Sequence, residues 1–266
     1  KKAQLQLQHL NIHPDYIVFR SVTVPSVEGL PSGVETASDI PISMTDLLVT
    51  AMDLTRDQFE AVVRSVKPDL IFYDFAHWVP EVAKEFGIKT VLYVVVSAAS
   101  VAISLVPARG ITRDKPVTVE EVAVPPPGYP SSKVTLRRNE AHALLFLSFP
   151  FGQGTTFFER STLALHKCDV ISIRTYKELE GKYCDYIESQ YKKKVLLTGP
   201  ILPQPDITKQ LEDQWSKWLS GFESSSVVFC AFGSQITLEK DQFQELCLGF
   251  ELSGSPFLVA LKPPTG

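Results

Sequence analysis

Across residues 67–97 the chain alternates between polar and apolar segments, and their lengths predict a strand, a helix and a second strand. Lys67, Pro68 and Asp69 open the stretch. Leu70–Tyr73 is then continuously apolar, the pattern of a strand buried on both faces of a parallel sheet. Residues 79–86 carry helical spacing, Gly87 supplies a C-terminal stop, and residues 90–96 form a second apolar run. The unit is βαβ. Asp74 falls at the carboxyl end of its first strand, where open α/β sheets hold their ligands. Two readings of that carboxylate stand side by side: a chemical group in a crevice, or an N-cap for the turn that follows.

The same patterning organises the rest of the chain. Residues 1–10 are a helix candidate, and 16–24 (YIVFRSVTV) read as a strand. Residues 25–40, rich in Pro, Gly and small side chains, form a long surface loop. Between 41 and 66 apolar residues recur at Leu48, Ala51, Met52, Phe59, Val62, Val63 and Val66, which turns Asp46, Asp53, Arg56 and Asp57 outward. The proline density of 107–130 predicts a long exposed insertion. Residues 138–147 and 155–166 follow as helices around an aromatic cluster of Phe146, Phe149, Phe151, Phe157 and Phe158. Such a cluster is either core or the wall of a pocket for a planar ligand. Further elements are a strand at 169–174, a helix at 179–191 and a strand at 195–197. After Gly199-Pro200 comes a proline-punctuated stretch and an amphipathic helix at 211–219 with Trp215 and Trp218. The pattern then restarts as strand 226–232, turn Gly233-Ser234, helix 239–253 and strand 257–261. A second α/β domain opens there, with one βαβ unit too small to be stable alone.

Composition narrows the function. The 266 residues are 44% hydrophobic and 21% charged, a globular balance, and a net charge of −4 offers no attraction for nucleic acid or an anionic membrane. The most apolar stretch, residues 91–106, is interrupted by serines and is shorter than the ~20 residues of a membrane helix. No secretory signal and no N-x-[ST] sequon is visible, which favours a cytoplasmic protein. Cys168, Cys184, Cys230 and Cys247 lack CxxC spacing; Cys168 and Cys230 sit in apolar runs and read as buried free thiols. His9 and His13 have helical spacing, but Pro14 interrupts it, so no metal site is expected. Gly233 and Ser234 stand at a strand's carboxyl end, where backbone N–H groups can cradle a phosphate, yet no P-loop, GxGxxG or GxSxG motif is present.

Four blocks carry a resemblance: PDLIFYDFAHWVPEVAKEFG, PPPGYPSSKV, CDYIESQYKKKVLLTGP and SVVFCAFGSQITLEKDQFQELCLGFELSGSPFLVALKPP. They resemble the plant UDP-sugar-dependent glycosyltransferases of family 1, and within them the branch that adds a sugar to the sugar of a flavonoid or anthocyanidin 3-O-glycoside. The resemblance implies an α/β protein of the GT-B arrangement, with two Rossmann-like domains and parallel sheets. Residues 1–199 would be the acceptor-binding domain without its first strand, 200–222 a linker, and 223–266 the start of a UDP-sugar-binding domain. It implies inverting transfer from a UDP-sugar co-substrate to a hydroxyl, without a cofactor or metal, by a cytoplasmic monomer with no transmembrane segment.

Asp74 matches the family's catalytic aspartate, which orients a histidine base that the family carries upstream of Lys1. Gly233 and Ser234 would hold the donor, and the family's longer donor signature lies beyond Gly266. The chain thus reads as the interior of a longer protein. His77 and Trp78, directly after Asp74, are the candidate acceptor contacts; alternatively, Trp78 begins the helix and packs inward. The rival to an enzyme is a non-catalytic α/β module that binds a small aromatic glycoside or a partner chain.

Overall fold

A computed structural model describes residue 11 and residues 13–199, 210–233 and 236–262. The helix expected at 1–10, residues 200–209 of the expected linker and Ser234 lie outside the described residues. The chain forms two compact units, Lys1–Leu202 and Pro203–Gly266.

The first unit opens with α1 (Thr45–Asp53) and α2 (Arg56–Val66), followed by β1 (Leu70–Tyr73), α3 (Val79–Glu85) and β2 (Lys89–Val94). Next come α4 (Ala98–Ser104), α5 (Val119–Ala123), α6 (Arg138–Ala143), α7 (Phe157–Lys167), β3 (Val170–Ile173), α8 (Lys177–Tyr191) and β4 (Val195–Leu197). The four strands pair in chain order, all parallel, with Leu70 opposite Lys89, Val91 opposite Val170 and Ile171 opposite Val195. Parallel strands need covering, and the core supplies it: Val82 and Ala83 of α3, Val101 and Ala102 of α4 and Ile187 of α8 pack with Ile171 and Ile173, each almost fully buried. Pro80 sits in the first turn of α3, where its missing N–H costs nothing, and Gly87 follows that helix at φ +70°.

The structure departs from the sequence pattern in five places. Residues 16–24 form no strand: Tyr16 is 89% exposed, and Thr23 is held by the Gln58 side chain through its own N–H (2.9 Å) and carbonyl (2.8 Å). An apolar run becomes a strand only beside another strand, and none pairs with it among the described residues. Among the described residues β1 is therefore an edge, and it is buried on one face only: Ile71 and Tyr73 point inward, while Leu70 and Phe72 are exposed. The helix read across 41–66 breaks at Leu54-Thr55. That break resets the helical phase, and Asp53 is buried rather than outward.

The stretch 107–130 is docked rather than loose. Arg109 donates to the carbonyls of Ile103 (2.5 Å) and Val124 (2.6 Å), Tyr186 donates to the Pro127 carbonyl (2.7 Å), and Val122 is 1% exposed. All four thiols are free, but the second buried one is Cys184 on α8, and Cys230 is half-buried. Burial pushes the Cys168 and Cys184 thiols up to about 11, which makes both poor nucleophiles.

The second unit contains α9 (Asp213–Leu219), β5 (Val228–Ala231), α10 (Lys240–Ser253) and β6 (Phe257–Ala260). Its strands are parallel, Val228 opposite Phe257, and Phe250 stacks on Phe257 at 4.7 Å. None of its described residues is buried, as a unit this small requires.

At the junction of α1 with the loop leading into α7, Gly152 adopts φ +83°, and a Cβ there would run into the Arg160 guanidinium, Val49 and the Asp53 carboxylate. Left-handed backbone costs a non-glycine residue roughly 1–2 kcal/mol, and overpacking adds about 1–3 kcal/mol. Gly152→Ala is therefore expected to destabilise the protein by about 2–5 kcal/mol in urea unfolding; a loss below about 0.5 kcal/mol would contradict this packing.

Candidate active site

Asp74 is the first residue beyond β1, and the structure keeps it available. The N-cap of α3 is Trp78, so the capping role is not the one Asp74 plays. Its carboxylate has no hydrogen-bond or ion-pair partner among the described residues. It faces an apolar cavity of about 240 Å³ and partial desolvation there holds its pKa above the ordinary carboxylate value.

The cavity is built by the ends of three elements. Leu92 and Val94 of β2, with Val95 and Val96 beyond it, form one side; Val101 and Leu105, at α4 and its C-terminus, form another. Phe157, Ser161, Ala164 and Leu165 of α7 close it, and Phe75 lies beside Asp74. The volume falls just under the ~300–1,000 Å³ of small-molecule pockets, enough for the ring system at one end of a ligand. Apart from Asp74, Ser161 contributes the one polar side chain of this lining, and its hydroxyl has no partner among the described residues. Thr162, next to it, already donates to the Phe158 carbonyl at 2.7 Å. The aromatic cluster is thus divided: Phe157 is wall, packed on Phe146 at 4.7 Å and Phe151 at 5.1 Å, while Phe158 is core and Phe149 is exposed.

His77 and Trp78 sit elsewhere. Trp78 is 6% exposed, with its ring edge-on to Phe59 at 5.4 Å and its indole N–H donating to Asp53 at 3.1 Å. The structure does not bring it to the cavity. His77 is half-buried; its Nδ1 is enclosed without a partner. Desolvation first, then the nearby Arg160 charge, lowers its pKa, so its imidazole is neutral at pH 7.

Behind this turn lies a feature that the sequence pattern concealed. Arg160, fully buried on α7, makes a two-pronged ion pair with Asp53 of α1: Nη1 meets Oδ1 at 3.0 Å and Nη2 meets Oδ2. Arg160 Nε also donates to the Phe151 carbonyl at 3.2 Å, and Asp53 takes the Gln153 N–H at 3.3 Å. A signal existed, since Arg160 and Ala164 are four apart on an apolar helix face, where an arginine requires a buried partner. Ser161 gave none beyond sharing a helical stripe with Phe157 and Leu165.

The strand end after β2 is closed to anions. Glu180 of α8 is buried, and its two oxygens accept from the N–H groups of Ala98 (3.1 Å) and Ala99 (3.0 Å) at the start of α4. A phosphate has no room there and would meet a like charge. In the second unit Gly233 takes φ +75° after β5 with open space around its Cα. Two larger hollows lie away from Asp74: about 510 Å³ against Asp185 and Lys192–Lys194, and about 460 Å³ against Arg109 and Pro125. Neither contains a strand-end carboxylate. Among the described residues no group of His, Cys, Asp and Glu is arranged for a metal, and no helix is long and apolar enough to cross a membrane.

No protein-family model matches the chain. Over 266 residues it is 60% identical to UDP-glycosyltransferase 79B6 of Arabidopsis thaliana, and over 268 residues 61% identical to UDP-glycosyltransferase 79B3 of the same plant. Each match covers 100% of this chain and 57% of the relative, so the chain spans little more than half their length. Among solved structures, Arabidopsis thaliana UGT89C1 complexed with UDP matches with a TM-score of 0.71 at 21% identity, over 100% of this chain and 57% of that one. Glycyrrhiza uralensis UGT73P12, complexed with glycyrrhetinic acid 3-O-monoglucuronide, also gives 0.71, at 22% identity over 97% and 54%. These structures carry the fold, α/β of the GT-B kind. From a strand-end carboxylate over an apolar cavity to 60% identity along its whole length, the chain belongs to the plant UDP-glycosyltransferases of family 1.

Proposed function

We propose that the protein carrying this chain transfers a sugar from a UDP-sugar to a hydroxyl of a flavonoid or anthocyanidin glycoside, with inversion. The observation that carries this reading is Asp74: a carboxylate at a strand end, without a partner among the described residues, over a cavity sized for an aromatic ring. In the transfer the acceptor oxygen bonds to the anomeric carbon, the bond from that carbon to the diphosphate breaks, and the acceptor proton passes to a base. Asp74 orients that base and stabilises the positive charge it acquires. Phe75, Phe157 and the valines past β2 hold the flat apolar body of the acceptor, and Ser161 takes one of its hydroxyls. The donor belongs with the second unit, its diphosphate at the Gly233-Ser234 turn; Glu180 supports this division by filling the competing helix start. The close sequence relationship to the 79B proteins supports the reaction class.

Asp74→Asn in the full-length protein is expected to lower turnover by about 10²–10⁴-fold. Stability moves the other way. Because folding raises the Asp74 pKa, the folded state holds that proton more tightly than the unfolded chain. The residue's contribution is complete below the unfolded pKa and is lost as pH rises through the carboxylate range. A permanently neutral Asn escapes that loss, so the variant should melt at or slightly above the wild-type temperature at pH 7. Wild-type turnover, or a marked drop in melting temperature, would contradict the assignment.

Ser161→Ala is expected to raise the KM for a polyhydroxylated acceptor by about 5-fold, the equivalent of one hydrogen bond, and to leave the UDP-sugar KM unchanged. A change shared equally by both substrates would remove Ser161 from the acceptor site. Ser234→Ala should do the reverse, weakening UDP-sugar binding by roughly 1 kcal/mol in calorimetry; weakened acceptor binding alone would place the donor elsewhere.

A further inference from the structure

Among the described residues the Asp74 carboxylate has no partner to hold it, yet the turn it begins is fastened at two points to one buried ion pair. Phe75, one residue on, lies over the Arg160 guanidinium, with 5.1 Å from the guanidinium carbon to the ring centroid. The same ring meets Phe151 edge-on at 5.7 Å and Phe157 at 5.8 Å. Trp78, four residues on, donates its indole N–H to Asp53 at 3.1 Å. Across this turn the Val79 N–H donates to the Ala76 carbonyl at 3.0 Å, and no side chain caps α3 among the described residues. Asp53 comes from α1 and Arg160 from α7, two residues 107 positions apart in the chain. Their charges satisfy one another, and bonds from the Trp78 indole and the Gln153 N–H to Asp53 and from Arg160 to the Phe151 carbonyl add to the network.

We propose that Asp53 and Arg160 are positioning residues for the transfer reaction: their ion pair fixes Phe75 and Trp78 and thereby aims the Asp74 carboxylate. The inference rests on the reading of Asp74 as a participant in the transfer. It also assigns Arg160 a second effect, since the Phe75 ring it supports is part of the cavity wall. An arginine is suited to the task because its flat guanidinium can be gripped at its edge by a carboxylate while its face supports a ring. Lysine offers a point charge and no such face.

The test is a double-mutant cycle in the full-length protein. Asp53→Asn with Arg160→Gln keeps an acceptor for the Trp78 N–H and leaves no unpaired buried charge, so the fold is retained. In the wild-type background this pair of substitutions should lower kcat about 10–100-fold, as an ångström-scale misplacement does, with the UDP-sugar KM shifted by less than about 3-fold. In the Asp74→Asn background the same substitutions should lower kcat by less than about 2-fold, because the step they support is already lost. Equal losses in both backgrounds would overturn the proposal in favour of a general structural role. Arg160→Lys is the second variant should the neutral pair not fold, and should reproduce the kcat loss; wild-type kcat in it would overturn the proposal. A crystal structure of the folded variant gives an arm independent of turnover: displaced Asp74 and Phe75 side chains support the splint, and unchanged ones contradict it. Wild-type turnover in Asp74→Asn by itself would instead sink the reading of Asp74.

Discussion

A carboxylate and a guanidinium buried together, Asp53 and Arg160, set the terms for the first unit. Each charge is intolerable in that position without the other, since an unpaired buried ion costs several kcal/mol. The pair therefore requires α1 and α7 to be brought together, and it leaves Gly152 as the residue that passes beside it without a side chain. It also closes the back of the turn that follows β1. What is left at the front is a carboxylate without a partner among the described residues, one residue from a ring that lies against the Arg160 guanidinium.

The asymmetry between two strand ends follows from where the charges are placed. After β1 the unit leaves Asp74 at an apolar cavity without a partner among the described residues; after β2 it spends Glu180 on the start of α4. Both carboxylates disfavour a phosphate, and only the first leaves space for a ligand. An aromatic body with a hydroxyl to present suits that space, and the diphosphate of a donor suits the glycine turn of the second unit. The division of labour proposed for the two units thus rests on electrostatics as well as on the resemblance carried by the sequence blocks.

Much of this was legible in the sequence, for physical reasons that also explain the failures. The sheet strands announced themselves because parallel strands are long apolar runs between polar punctuation, and Asp74 was found because it is the first charge after such a run. The interruption at Leu54-Thr55 was invisible to periodicity, so Asp53 was placed outward one residue before the phase changed. Residues 16–24 had strand chemistry, but strand formation depends on a neighbour's backbone, which no local pattern encodes. Trp78 carried equal arguments for crevice and core, and an acceptor for its N–H, 25 residues earlier in the chain, decided its position. Ser161 is one serine among many until β2 and α4 are folded against its helix.

The most direct measurement is a crystal structure of the full-length protein with UDP and a flavonoid 3-O-glycoside bound together. The account predicts the aromatic rings of the acceptor between Phe75 and Phe157, with a sugar hydroxyl on the Asp74 side and the diphosphate at Gly233-Ser234. An acceptor seated in the hollow beside Arg109, with the Asp74 cavity left to solvent, would contradict it.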